Sequence, residues 1–161
     1  MRQSPNSKRS SGITYECVLF LSENIDVILT TRGIGEHVPG ILFGYQAFIG
    51  TYRLSVSTSN HNWELRLPDS FLAWGHVGIT WSKQWGLRCY HNGVLVAQAT
   101  NPVRLPYTYH DRMTKFWMGR DTSPPYMMWG NHFQMSDLRI WETAIAQQEM
   151  KEIYTNAGKR Y

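Results

Sequence analysis

The stretch WGHVGITWSKQWGLRCYHNGVLVA, residues 74–97, decides the fold class. Its first part alternates apolar residues with polar or small ones, which predicts a half-buried strand: Val77, Ile79 and Trp81 against His76, Gly78 and Thr80. Asn92 and Gly93 then separate two β-rich runs. Both central residues of a type I′ turn need positive φ, and an Asn-Gly pair meets that need. The stretch therefore predicts an antiparallel hairpin.

The rest of the chain extends this β pattern. Residues 13–21 (ITYECVLFL) predict an early strand, and about ten short β-like runs are separated by turn signals. Only residues 147–158 show helical spacing, with Gly158 placed just after the helix. The apolar positions of that helix are Met150, Ile153, Tyr154 and Ala157. The order of elements predicts an all-β antiparallel sandwich with one short C-terminal helix.

The length of 161 residues fits a single domain. We expect the sandwich to span residues 12–158, with residues 1–11 as a disordered tail or cloning remnant and residues 159–161 as a second tail. Four aromatic residues in predicted strands are expected in the core: Trp81, Phe116, Phe133 and Trp141.

The charge distribution argues against nucleic-acid binding. The chain has 16 basic and 12 acidic residues, but five of the basic ones lie in the tails, and the body has no long basic run. No apolar run is long enough to span a bilayer, so no direct membrane insertion is expected. Between Asp69 and Asp111 there is no acidic residue, and two interpretations stay open: solvated strand edges, or a weakly electropositive rim for sulfated or sialylated glycans. The basic residues of this interval are Lys83, Arg88 and Arg104, with His76, His91 and His110.

Three segments in order resemble laminin G-like and pentraxin-like domains. WGHVGITWSKQWGLRCYHNGVLVA resembles their Trp-x-His-Val strand and Asn-Gly hairpin, FWMGRD their short strand ending in Gly, and DLRIWETAIAQQEMKEIY their closing strand and helix. The resemblance implies a concanavalin A-like jelly roll of the kind found in N-terminal modules of adhesion-type receptors and other extracellular mosaic proteins. Ala146 stands where the family usually has a Ser N-cap, so that capping bond is expected to be missing.

The resemblance raises two further questions, calcium and a disulfide. Pentraxins bind calcium through clustered carboxylates and amides, whereas the two long loops that contain proline here, residues 101–113 and 121–132, offer only Asp111, Asp121 and Asn131. We therefore expect no cofactor, with a weak calcium site as the alternative. Cys17 matches the first half-cystine of the family, but Gly78 stands at the second, and Cys89 is one strand further on. A Cys17–Cys89 disulfide and two buried thiols both remain open.

An enzyme is the least favoured interpretation. Laminarinase-type glycosidases share this sandwich and need two carboxylates in a Glu-x-Asp-x-x-Glu pattern, which does not occur here. No Gly-x-Ser-x-Gly elbow is present, and the histidines and cysteines lack the spacing of a zinc site.

Two long loops containing proline carry aromatic and polar residues that suit ligand contacts. The predicted contact residues are Tyr107, Tyr109, His110, Arg112, Asp121, Tyr126 and Trp129. The alternative is that these side chains only cover an open end of the sandwich. We expect a non-catalytic recognition module in a larger extracellular or cell-surface protein, binding a glycan or a protein through rim loops. A structural or assembly domain, also conceivable inside the cell, and a glycoside hydrolase-like enzyme are the alternatives.

Overall fold

A computed structural model describes residues 12–21, 28–31, 39–46, 50–67, 74–106, 116–119 and 133–157. The strands run in the order β1 (Ile13–Leu21), β2 (Leu29–Thr30), β3 (Gly40–Gln46), β4 (Thr51–Ser57), β5 (His61–Leu67), β6 (Gly75–Ser82), β7 (Gly86–His91), β8 (Val94–Ala99), β9 (Val103–Arg104), β10 (Trp117–Met118) and β11 (Phe133–Trp141). One helix, α1 (Gln147–Ala157), follows β11.

The strands form two antiparallel sheets. The five-stranded sheet has the order β11-β1-β6-β7-β8, and the six-stranded sheet has the order β10-β2-β3-β4-β5-β9. Because β1 pairs with β11, the first and last strands are neighbours in one sheet. Two packed sheets, with one short helix at the C-terminus, confirm the predicted sandwich.

The core lies between the sheets and follows the predicted alternation. In β1 the inward residues are Ile13, Tyr15, Cys17, Leu19 and Leu21, all buried. In β6 the inward residues are Val77, Ile79 and Trp81, which belong to the same cluster. Phe116 and Phe133 are partly buried and pack against this cluster, in agreement with the predicted core positions. Trp141 is also partly buried, but it packs against a second, smaller cluster around Tyr90, Ile145 and Met150.

The predicted hairpin is confirmed at its turn. Asn92 and Gly93 have φ of 51° and 75°, the positive values that a type I′ turn requires. The turn is tied back to the start of β6, because the Asn92 amide donates to the His76 carbonyl and the His76 amide donates to Asn92 Oδ1.

The two cysteines are free, buried thiols, so the disulfide alternative is wrong. Cys17 lies opposite Val77 of β6, and Cys89 lies opposite Ile79 of the same strand. With β6 between them, two strand spacings of about 4.8 Å each separate β1 from β7, which exceeds the Cα separation a disulfide spans. Burial, together with the charge of Glu16, raises the pKa of the Cys17 thiol to about 12.

The C-terminal helix packs on the outer face of the five-stranded sheet. Met150 lies over Gly78, where a Cβ would collide with the Met150 sulfur. This contact explains why a small residue occupies the centre of β6. Ala146 is the residue before the helix and supplies only its carbonyl, which accepts from the Met150 amide. Of the predicted helix face, Met150 and Ala157 are buried, whereas Tyr154 is 38% exposed.

Candidate functional site

The sandwich has two ends, which differ in what they expose. At the first end, the Trp74 end, β1, β3, β5 and β7 finish, at Leu21, Gln46, Leu67 and His91. At the second end, the Trp81 end, β6 finishes and β5 begins. The rings of Trp63 and Trp81 meet there edge to face in the core, with centroids 5.3 Å apart.

An aromatic pair marks the Trp74 end. Phe20 alternates with the buried Leu19 and Leu21, so its ring lies on the outer face of the five-stranded sheet. Trp74 comes directly before β6, and its ring stacks on Phe20 with centroids 5.2 Å apart and an interplanar angle of 24°. Trp74 keeps 51% of its surface exposed. The Trp74 end therefore presents an indole supported from behind by a second ring.

The same end of the six-stranded sheet carries an arginine pair. Arg53 of β4 and Arg66 of β5 are direct cross-strand partners on the outer face. Arg53 is held by Glu64, with Nη2 2.6 Å from Oε2, whereas Arg66 is exposed. Like charges directly opposite each other oppose strand pairing. Glu64 offsets one of the two charges, and Arg66 remains available for a polar or anionic group.

The outer face of the five-stranded sheet is closed by α1 over a buried polar pair. His76 Nε2 lies 2.7 Å from Glu16 Oε1, and both side chains are almost fully buried. The Arg139 Nε atom is 3.8 Å from the other carboxylate oxygen, which gives the buried carboxylate a nearby positive charge. The Tyr154 ring contacts His76 with centroids 5.8 Å apart. Because α1 covers the Glu16–His76 pair, the pair stabilises the contact between the helix and the sheet and is not accessible to a ligand.

The predicted contact residues lie outside the described residues. These are Tyr107, Tyr109, His110, Arg112, Asp121, Tyr126 and Trp129. The strands that flank them are described. The chain leaves β9 at the Trp81 end, where the Leu105 amide donates to the Asn60 carbonyl. It leaves β10 at the opposite end and enters β11 opposite Leu21. The described strands β9 and β10, after which the predicted residues follow in the chain, therefore finish at opposite ends of the sandwich.

The basic interval is also divided between the ends. Lys83 and Arg104 are exposed at the Trp81 end, and Arg88 lies nearer that end with its guanidinium 5.3 Å from the Trp85 ring centroid. His76 and His91 lie at the Trp74 end, His76 being buried. His110 lies outside the described residues. In the described part, the lysine and the two arginines of this interval therefore lie at the Trp81 end, and both interpretations of the interval, solvated strand edges or an electropositive rim, remain predictions.

No metal centre is found within the described residues, because nowhere in them do three His, Cys, Asp or Glu side chains come together. The calcium candidates Asp111, Asp121 and Asn131 lie outside them. The described ranges also contain no helix long and apolar enough to cross a membrane.

Sequence reasoning missed Phe20 and Arg66 as site residues and used Trp74 only as part of a motif. The alternation of side chains along β1 gives part of the signal, because Phe20 lies on the face of the strand opposite to the core residues. Its stacking partner is 54 positions away in the chain, and only the pairing of β1 with β6 brings the two rings together.

Comparison with known families fits this architecture. The family described as the concanavalin A-like lectin/glucanases superfamily matches residues 12–151. The chain belongs to this superfamily. No curated protein matches the chain.

Solved structures with the same fold are distant in sequence. A candidate carbohydrate binding protein from Bacteroides ovatus ATCC 8483 is 18% identical with a TM-score of 0.62, and the match covers 93% of this chain and 42% of that one. The binding domain of botulinum neurotoxin DC in complex with rat synaptotagmin II is 11% identical with a TM-score of 0.56, covering 91% and 36%. A structure of NanB with Optactamide is 13% identical with a TM-score of 0.68, covering 88% and 24%. This chain thus spans less than half the length of each of these chains, and at such identities they share the fold alone.

Proposed function

We propose that this domain is a non-catalytic recognition module that binds a glycan at the Trp74 end, as part of a larger extracellular or cell-surface protein. The observation that carries the proposal is the exposed Trp74 ring stacked on Phe20. Carbohydrate sites combine aromatic surface with a few polar groups. The fold shared with a candidate carbohydrate binding protein supports the same conclusion.

Two carboxylates in the sheets, Glu16 and Glu64, are paired with basic side chains, which supports the absence of catalysis in this proposal. Glycoside hydrolysis needs two carboxyl groups facing one substrate across a cleft. Glu16 is buried against His76 beneath α1, and Glu64 is engaged by Arg53. Each of these two carboxylates thus already has a basic partner within the domain.

Two other ligands have specific support. Lys83, Arg88 and Arg104 at the Trp81 end favour a sulfated glycan there. A protein ligand is favoured by the botulinum toxin domain, whose structure contains rat synaptotagmin II. The sulfated-glycan alternative differs from the proposal in the end of the sandwich that the ligand contacts. The protein alternative differs from it in the chemical class of the ligand.

The test is binding to a printed array of neutral, sialylated and sulfated oligosaccharides, with calcium and again with chelator. The best-bound array oligosaccharide is then titrated into ¹⁵N-labelled protein. We expect shifts at the Trp74 end, in the amides of Phe20, Trp74 and Asn92, and unchanged amides at Lys83 and Arg104. Shifts confined to the Trp81 end, or an array on which nothing binds, would overturn the proposal. Binding lost with chelator would also show that calcium takes part.

A further inference from the structure

We propose that Trp74 and Phe20 form a preorganised platform on which the apolar face of one pyranose ring stacks. This inference rests on the proposed glycan recognition and deepens it, because it assigns a subsite and the class of group that the subsite takes. It concerns the outer face of the five-stranded sheet at the Trp74 end, beside the part of that face that α1 covers.

The Trp74 indole is backed by a second ring and keeps about half of its surface exposed. Phe20 lies against the Trp74 ring at 5.2 Å between centroids and 24° between planes, so it backs one face of the indole. Trp74 nonetheless keeps 51% of its surface exposed, and the proposal assigns the sugar to the indole face opposite to Phe20. Phe20 is fixed through its own strand, which pairs with β11 on one side and with β6 on the other. Binding of a ligand therefore costs little conformational entropy at these two side chains.

The chemistry of such a face matches a pyranose. An aromatic ring carries negative charge density on its face, and the axial C–H bonds of a sugar present weakly positive hydrogens to it. Gln134 of β11 is the direct cross-strand partner of Phe20 and is exposed, but β1 separates it from β6. It therefore lies on the other side of Phe20 from Trp74 and serves as a control position, not as a contact of the sugar.

The size of the platform favours a sugar over a protein. A stable protein interface removes about 800 Å² of surface from each partner, whereas a large aromatic side chain contributes about 150–250 Å² when fully buried. Half of one indole backed by a ring falls well below the protein requirement and is of the size of a single sugar ring. Of the other exposed large apolar residues in the described part, Val103 and Met118 lie on the six-stranded sheet, Val94 and Val96 lie on β8 at the edge of the five-stranded sheet away from β1, and Tyr154 lies on α1.

The experiment compares Trp74→Ala and Trp74→Tyr with Trp85→Ala on the same printed array. Trp85 is a half-buried indole at the Trp81 end, so it controls for the loss of a tryptophan as such. We expect Trp74→Ala to weaken the strongest array interactions by about tenfold. Trp74→Tyr should recover part of the affinity, and Trp85→Ala should bind like wild type. Gln134→Ala, an exposed change on the other side of Phe20, should also bind like wild type.

A second measurement guards against a merely structural effect of the substitutions. The indole N–H resonance of Trp74, assigned by its absence in Trp74→Ala, should shift when the best-bound array oligosaccharide is titrated. If Trp74→Ala binds like wild type while the ligand still shifts amides at the Trp74 end, the platform is overturned and the proposed function stands. If the shifts lie at the Trp81 end, or if wild type binds no oligosaccharide, both are overturned.

Discussion

Trp74 and Trp81 stand at the two ends of one strand and have opposite roles. Each meets a second ring at almost the same distance, 5.2 Å for Trp74 with Phe20 and 5.3 Å for Trp81 with Trp63. Yet Trp81 is 2% exposed and Trp74 is 51% exposed. Seven positions separate them, and an odd separation in a strand places two side chains on opposite faces. The same residue type therefore supports the core at one end and supplies surface at the other.

The largest expected effect tests this contrast through stability. Trp81→Ala removes a fully buried indole from the contact between the sheets, and such changes cost about 3–5 kcal/mol of unfolding free energy. Trp74→Ala removes a half-exposed ring and its stack on Phe20, worth about 1 kcal/mol or less. Denaturation in urea, followed by far-UV circular dichroism, measures both. Equal destabilisation by the two substitutions would contradict the assignment of different roles to the two ends.

The next effect compares acidic residues on the outer faces of the two sheets. Glu16→Ala leaves the buried His76 without its hydrogen-bond partner, which costs about 1–3 kcal/mol. Glu64→Ala, the matched change on the six-stranded sheet, breaks a partly exposed ion pair with Arg53 and costs about 0–1 kcal/mol. Urea midpoints of the two variants should differ in that order. The reverse order would mean that the helix does not shield the Glu16–His76 pair.

The smallest effect concerns the pH dependence of the Trp74 end. Burial, followed by the nearby His76, lowers the pKa of His91 below its usual value. The native state thus binds fewer protons than the unfolded state as the pH falls below about 6.5, so His91 lowers stability on acidification. Between pH 7.5 and pH 5.5, the melting temperature of His91→Gln should fall by less than that of wild type.

The matched control for this prediction is His61→Gln, at the start of β5 near the Trp81 end, which should follow the wild-type profile. Melting curves recorded by fluorescence at both pH values suffice. A wild-type slope retained in His91→Gln would show that other groups carry the acid sensitivity of the fold.

Local signals predicted much of the fold because they act over a few residues. The alternation in β1 and β6 separated inward from outward positions correctly, and Asn92-Gly93 identified the turn from the φ values it demands. Short strands were harder to place. β9 falls within a stretch read as a loop because Val103 and Arg104 sit between two prolines, and their pairing with β5 depends on tertiary contact.

The candidate site was less predictable because it is assembled across strands. Phe20 meets Trp74, and Glu16 meets His76, only through the pairing of β1 with β6. That Arg66 faces a second positive charge, on Arg53, is known only once the pairing of β4 with β5 is known. The choice between a disulfide and two free thiols could not be made from the sequence for the same reason. It depends on whether another strand lies in the sheet between the two strands that carry the cysteines. Residue types suggested aromatic contacts with a ligand, but the sheet order decides which aromatic side chains remain outside.

The position of β1 has a consequence for how the chain folds. β1 lies between β6 and β11, and Thr14 accepts a hydrogen bond from the Ile145 amide across a separation of 131 residues. One edge of the first strand thus has no partner until almost the whole described sequence has been synthesised. Sheets that depend on such distant pairings fold on the scale of about milliseconds to seconds. During translation, the exposed edge of β1 is where this domain is most open to wrong pairing with another chain.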